Sequence, residues 1–306
     1  MQRTLKRQIS IIGTGLHSGR PARLKLLPAA AGQGIWFRRA DINDRNNMIA
    51  ASWDLVSDTL LCTRITNEAG VSVATIEHLM AALAGLGVSN VIVELDGPEI
   101  PIMDGSARRF VSEILRVGLI EQDAPASIWQ VMKPVRVESG AAWAELTPAN
   151  AFVIDFDIEF AGTIIGHQAR VLDMRNGAFI RELADCRTFC RRQDVDSMLA
   201  RGLALGGNLE NALVVNGMSY ENPEGPRRLD ECVRHKMLDA LGDLALAGAP
   251  MLGRYTGFHS GHGLTNQLLH KAFATTGTLK LQTVDPIMHQ NLPGSGLNRA
   301  DLAFVS

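Results

Sequence analysis

The sequence predicts an α+β protein of two similar domains that share one cleft. Three observations predict it. Strand-like and helix-like segments follow one another as strands, helix, strand, helix over about the first 120 residues, the segregated order of an α+β unit. The stretch Ala124-Pro125-Ala126-Ser127 then reads as a linker. Finally, His78-Leu79-Met80-Ala81-Ala82-Leu83 is similar to His235-Lys236-Met237-Leu238-Asp239-Ala240-Leu241, and the two histidines lie close to half the chain apart. Either each half offers one histidine-bearing helix to a shared site, or two apolar helices resemble each other by chance. The expected domains are 1–124 and 128–306.

The elements follow in order. Residues 8–12 are mostly apolar and run into Gly13-Thr14-Gly15-Leu16-His17-Ser18-Gly19, a strand and a glycine turn. The third glycine is misplaced for the dinucleotide fingerprint G-x-G-x-x-G. Residues 22–27 alternate, with Ala22, Leu24 and Leu26 on one face and Arg23 and Lys25 on the other, as a half-buried strand does. Residues 35–37 give another short strand. Thr75 is expected to cap a helix over 76–83, with Gly85 as its stop. Residues 90–95 read as a strand that Asp96-Gly97-Pro98 turns away. Residues 101–104 are extended, and Met103-Asp104-Gly105-Ser106 is a turn whose serine caps a helix through Val117, ended by Gly118. Beyond the linker, strands are expected over 131–137, 141–146 and 152–160. Helices follow within 229–247 and over 264–273, and a last strand over 279–283.

The chain has 306 residues, 46% hydrophobic and 20% charged, an ordinary globular composition with ample core. A formal charge of −2 leaves no basic field to attract nucleic acid. No apolar run approaches the roughly 18–20 residues needed to span a bilayer. No apolar stretch follows the basic residues near Met1, so a signal peptide is not expected, and the expected compartment is the cytoplasm. Cys62, Cys186, Cys190 and Cys232 form no C-x-x-C pair and read as reduced thiols, with cysteine-ligated zinc the lesser alternative.

The residues that carry chemistry cluster around the two histidines. His235 and Asp239 are four apart, and on a helix such residues lie on one face about 5–6 Å apart. Their helix is otherwise apolar (Met237, Leu238, Ala240, Leu241, Leu244), so the pair is expected to be partly buried. Buried charges need partners or a metal. His78 is the natural third ligand, which leaves a fourth position for water, as in catalytic zinc sites. Glu77 beside it would act as base on that water. Nothing matches H-E-x-x-H, so the zincin protease motif is absent. His262 sits between two glycines, either as an idle turn histidine or as a general acid. Asp243, one turn beyond Asp239, could fix its tautomer and raise its pKa. Lys236 could neutralise a phosphate or a developing oxyanion. Thr188 is either a sheet filler or an oxyanion donor. His17, His167, His259 and His270 have no partner in sequence.

At this point the residues resemble a known family. The segments are Gly13-Thr14-Gly15-Leu16-His17-Ser18-Gly19, Thr75-Ile76-Glu77-His78-Leu79, Glu99-Ile100-Pro101-Ile102-Met103-Asp104-Gly105-Ser106, Arg187-Thr188-Phe189, Val233-Arg234-His235-Lys236-Met237-Leu238-Asp239 and Ser260-Gly261-His262. They are similar, in order and over nearly the whole chain, to the UDP-3-O-acyl-N-acetylglucosamine deacetylases, zinc amidases of lipid A synthesis in Gram-negative bacteria. The resemblance implies two α+β domains, each with layers of strands around helices, and an active site between them. It implies one Zn2+ on His78, His235 and Asp239, with Fe2+ as an alternative in the cell. Glu77 would be the base, and His262 the acid supported by Asp243. Thr188 and Lys236 would stabilise the oxyanion or contact substrate, with Phe160 and Phe189 beside the substrate. An insert at about 190–225 would form the acyl passage, with Leu199, Leu203, Leu205, Leu209 and Val214 as lining candidates. The partner implied is a small acylated UDP-sugar, and a monomer is the default. Members usually continue Arg-Thr-Phe with Gly-Phe, where this chain has Cys190-Arg191. Ala142 and His259 stand where lysine is common. A different metal amidase, or a binder that keeps the fold, are the rival readings.

Overall fold

The computed structural model describes residues 1–297 and 299–305. The first half is built on a five-stranded sheet. Its spatial order is Ile9–Thr14, Pro21–Pro28, Val91–Leu95, Ile35–Arg39 and Met48–Ala50. Neighbours are antiparallel, except that Val91–Leu95 runs parallel to Ile35–Arg39. The strand Pro21–Pro28 buries Ala22, Leu24 and Leu26 and exposes Arg23 and Lys25, so the alternation in sequence aims one face at the core.

The second half repeats that topology. Val135–Ser139, Ala142–Thr147, Met251–Phe258, Phe152–Phe160 and Gly166–Asp173 lie side by side with the same sequence of antiparallel, antiparallel, parallel and antiparallel pairings. The second sheet has two further strands, Ser127–Val131 and Leu279–Thr283. In both halves the last of these five shared strands enters the middle of the set, directly after a helix. That helix is α1, Glu77–Gly85, in the first half. A second helix, α2 (Arg108–Val117), follows the central strand. The second half adds a short α3 (Ala178–Glu182) and α4 (Arg192–Ala200) before its counterparts, α5 (Glu231–Leu244) and α6 (His262–Ala274). Each half also carries a three-stranded sheet ahead of its histidine-bearing helix. These are Val56–Asp58, Arg64–Thr66 and Ser72–Val73, and Phe189–Arg191, Leu213–Asn216 and Ser219–Tyr220. The similarity of the two histidine helices is thus part of a repeat in topology.

Helices α1 and α5 pack against each other, and one hydrophobic core runs through both halves. Every residue of α1 except Ala84 is buried. A helix apolar all round belongs inside. In α5 only Lys236 is less than fully buried. Its other charged groups have partners: Glu231 holds Arg187, and Arg234 holds Asp230 and Glu182.

The structure corrects several sequence expectations. Helix α1 begins at Glu77 with Ile76 in the cap position, and Thr75 makes no cap bond. Thr75 has φ 58, and its hydroxyl turns to Glu99 instead. Gly85 is not the stop, because the helix includes it and Gly87, at φ 70, turns the chain away. Gly85 is small because a Cβ there would lie 2.1 Å from the Phe179 ring of α3. The strand expected over 131–137 is two strands, Ser127–Val131 and Val135–Ser139, broken around Pro134, whose ring nitrogen has no proton for a ladder. Ser106 lies one residue before the cap position of α2, although its Oγ does accept from the Arg108 N–H at 3.2 Å.

Close approach of α1 and α5 depends on Gly242. A Cβ there would sit 2.1 Å from the Glu77 carbonyl oxygen. Gly242→Ala gains helix propensity worth about 1 kcal/mol but must part the helices, so a net loss of about 1–2 kcal/mol is expected. The urea midpoint would fall, and an unchanged or higher midpoint would contradict this packing.

Candidate active site

The N-terminal end of α1 and the middle of α5 bring His78, His235 and Asp239 together. All three are buried, and one ligand atom from each lies within 4.8 Å of the others. Asp239 Oδ1 is 3.3 Å from His235 Nε2 and 3.6 Å from His78 Nε2. The two imidazoles meet nearly edge to face, with centroids 5.0 Å apart. His235 Nδ1 lies 3.0 Å from the Cys186 carbonyl oxygen, which fixes the proton on Nδ1 and turns Nε2 toward Asp239. Burial pushes both histidines below the ordinary imidazole range, His78 to about 3, so each is neutral at pH 7. Asp239 is held well below the usual carboxylate range: burial opposes ionisation, but the charges around it, the Lys236 ammonium among them, outweigh it.

This donor set fits a metal ion. Asp239 Oδ1 is buried without a hydrogen-bond donor while two neutral imidazole nitrogens face it. An orphaned anionic oxygen costs free energy unless a cation meets it. Two imidazoles and a carboxylate are the ligand types of an open catalytic zinc site. Lys236 Nζ donates to the other oxygen, Oδ2, at 2.7 Å, so the lysine directly neutralises this carboxylate.

Two further titratable groups flank the cluster. Glu77 is buried, and its Oε2 accepts the Thr63 backbone N–H at 3.0 Å. Burial raises its carboxyl to about 7; His262 opposes this, while Asp239 and Asp243 add to it. His262 is the first residue of α6, and its Nδ1 lies 2.7 Å from Asp243 Oδ2. Burial alone would lower that imidazole, but the charge and hydrogen bond of Asp243 lift it to about 9. A neutral-range carboxyl and a cationic imidazole are the protonation states a base and an acid need.

Sequence reasoning missed Thr63. Its N–H donates to Glu77 and its Oγ1–H donates to Asp243 Oδ1 at 2.5 Å. One residue thus ties the carboxylate on α1 to the carboxylate on α5. Nothing in the local sequence marks it, because its partner is 180 positions away.

A cavity of about 850 Å3 opens from this cluster. Glu77, His78, Thr188, His235, Lys236, Asp239 and His262 face it, and Asp243 stands behind His262. Phe189 meets His235 edge to face at 6.3 Å and Phe160 at 5.4 Å, and both aromatics line the cavity. Leu60, Leu61, Val195, Met198, Leu209 and Val214 give the same cavity apolar lining. Leu199, Leu203 and Leu205 lie outside this lining. On α4 the residues facing the cavity include Val195 and Met198, three apart on one face, and Leu199 falls to the side. Leu203 sits in the turn beyond α4, where its N–H bonds the Met198 carbonyl. The departures Ala142 and Cys190 also line the cavity, whereas His259 stacks on Phe258. Cys62, Cys186, Cys190 and Cys232 are free thiols, and burial pushes Cys62 up to about 12.

A profile of the UDP-3-O-acyl N-acetylglycosamine deacetylases matches residues 2–274. The chain belongs to this family. It is 46% identical over 286 residues to the UDP-3-O-acyl-N-acetylglucosamine deacetylase of Pasteurella multocida (strain Pm70), covering 93% of each chain. It is 49% identical over 282 residues to that of Phenylobacterium zucineum (strain HLK1), covering 92% of this chain and 96% of the relative. The Vibrio parahaemolyticus enzyme is 45% identical over 275 residues, covering 89% and 90%. Among the described residues no helix is long and apolar enough to cross a membrane.

If His78, His235 and Asp239 hold one ion, His78→Ala removes one of the three candidate ligands and is expected to reduce bound metal to well below half of the wild-type content. Elemental analysis after dialysis reads this directly. Full retention would show that the ion sits elsewhere.

Proposed function

We propose that this deacetylase hydrolyses the 2-acetamido group of UDP-3-O-(3-hydroxyacyl)-N-acetylglucosamine, using zinc, to give the free amine and acetate. This is the committed step of lipid A synthesis. The observation that carries the site assignment is the buried His78–His235–Asp239 cluster, flanked by Glu77 and His262 in a cavity that Met198, Leu209 and Val214 also line. Zinc held by His78, His235 and Asp239 would supply Lewis acidity, polarising the acetyl carbonyl and lowering the pKa of water toward about 7; Fe2+ is the alternative in the cell.

The chain's own residues do the rest. Glu77 takes the proton from the attacking water, which its raised pKa equips it to hold. The Thr188 hydroxyl donates to the oxygen that gains charge as the carbonyl is attacked. His262 gives its proton to the departing amine, and Asp243 holds the imidazole in register and keeps it cationic. Lys236 keeps Asp239 ionised and lends positive charge to the same region. Phe160 and Phe189 offer faces to the sugar nucleotide, and Met198, Leu209 and Val214 enclose the acyl chain. Within this reading residues 1–124 and 128–306 are two domains, the protein works as a monomer, and it acts in the cytoplasm.

Glu77→Ala and His262→Ala should each cut turnover by roughly 10²–10⁴-fold while the metal remains. Acetate release with parallel metal analysis tests both, and near-normal turnover by either variant would remove its assigned role. Glu77 must be deprotonated and His262 protonated. The rate should therefore rise through about 7, peak, and fall through about 9. Asp243→Asn removes the charge that lifts His262, so the alkaline limb should move to lower pH. A profile of kcat/KM whose alkaline limb stays in place would contradict the Asp243–His262 pairing.

A further inference from the structure

Two segments that the proposed chemistry leaves unused, 13–19 and 99–106, meet at one buried carboxylate. Glu99 is 4% exposed. Its Oε1 accepts the His17 backbone N–H at 2.7 Å and the Thr75 hydroxyl at 3.1 Å. Its Oε2 accepts the Ser18 backbone N–H at 2.8 Å. Among the described residues no basic side chain forms an ion pair with it; three neutral donors hold it. Such bonds to an ionised acceptor are the strong ones. Gly15 makes room, since a Cβ there would lie 2.3 Å from Glu99 Oε2.

The loop fixed in this way is the seat of the segment after α4. Leu205 N–H donates to the His17 carbonyl at 3.3 Å, and Gly206 N–H to the Leu16 carbonyl at 2.9 Å. Ala204 N–H donates to His17 Nδ1 at 3.4 Å. On its other side Glu99 holds Thr75, a β-branched residue at φ 58 two positions before Glu77. A non-glycine residue persists there only when its surroundings over-determine it. Leu16, His17, Thr75, Ala204 and Leu209 all face the same cavity.

We propose that Glu99 is a positioning residue that clasps segment 201–209 to the first half and thereby sets the preference for long acyl chains. This rests on the acylated UDP-sugar as substrate. Glu99 touches no reacting atom; it acts through the His17 loop.

Glu99→Gln offers one carbonyl oxygen to three donors and turns an amide NH2 toward them. Amide hydrogen exchange over residues 203–207 should speed about tenfold, and kcat/KM for a long 3-hydroxyacyl substrate should fall about tenfold, against less than about twofold for a 3-O-acetyl analogue. Protection across α5 should stay unchanged, which reports an intact core. Gly15→Ala displaces the carboxylate without altering its charge and should give the same signature, so the proposal stands or falls even where Glu99→Gln folds poorly. Wild-type exchange over 203–207, or equal losses with both substrates, would overturn it. Failure of the wild-type protein to hydrolyse either substrate would instead sink the substrate reading, while the exchange data would still decide whether the clasp exists.

Discussion

Helix α1 can lie against α5 only where residue 242 carries no side chain, because the Glu77 carbonyl occupies the space a Cβ would need. That approach sets the distance between His78 on one helix and His235 and Asp239 on the other. It also carries Glu77 to the edge of the same cluster. The site is therefore a property of the helix pair, and each helix is the piece that its half inserts before the central strand. A repeat of one topology supplies two similar helices, and their contact turns them into a single centre.

Burying so many ionisable groups together is costly unless each is answered. Asp239 is answered by Lys236 on one oxygen, while the other faces two imidazole nitrogens without a donor and is left for a cation. Asp243 is answered by Thr63 and His262. Glu77 is buried with one backbone donor, and burial, against the opposing charge of His262 and helped by Asp239 and Asp243, lifts its pKa into the neutral range. The uneven distribution of partners is what separates the roles. Asp239 is held in its ionised form, and the more poorly partnered Glu77 is the carboxylate that the proposed mechanism uses as base.

Local signals were the legible ones. Spacing put His235 and Asp239 on one helix face, and alternation placed Ala22, Leu24 and Leu26 inward. The likeness of the two histidine helices reflected a repeat that sheet order makes plain. What stayed hidden was set by distant partners. Thr63 matters because of Asp243, and Thr75 is drawn from its expected cap role by Glu99, neither of which leaves a mark nearby. The cavity wall was misjudged by one helical position: Val195 and Met198 face inward while Leu199 and Leu203 do not. Hydrophobicity alone cannot choose the face of a short, mostly exposed helix.

The central claim is that two helices from two halves build one metal centre for amide hydrolysis. Acetate release from UDP-3-O-(3-hydroxyacyl)-N-acetylglucosamine, measured on metal-stripped protein during stepwise addition of zinc, tests it most directly. The account predicts no release without metal and a rate that rises until one zinc per chain is bound. Full activity in the metal-free protein, or zinc bound at one per chain with no acetate released, would contradict it.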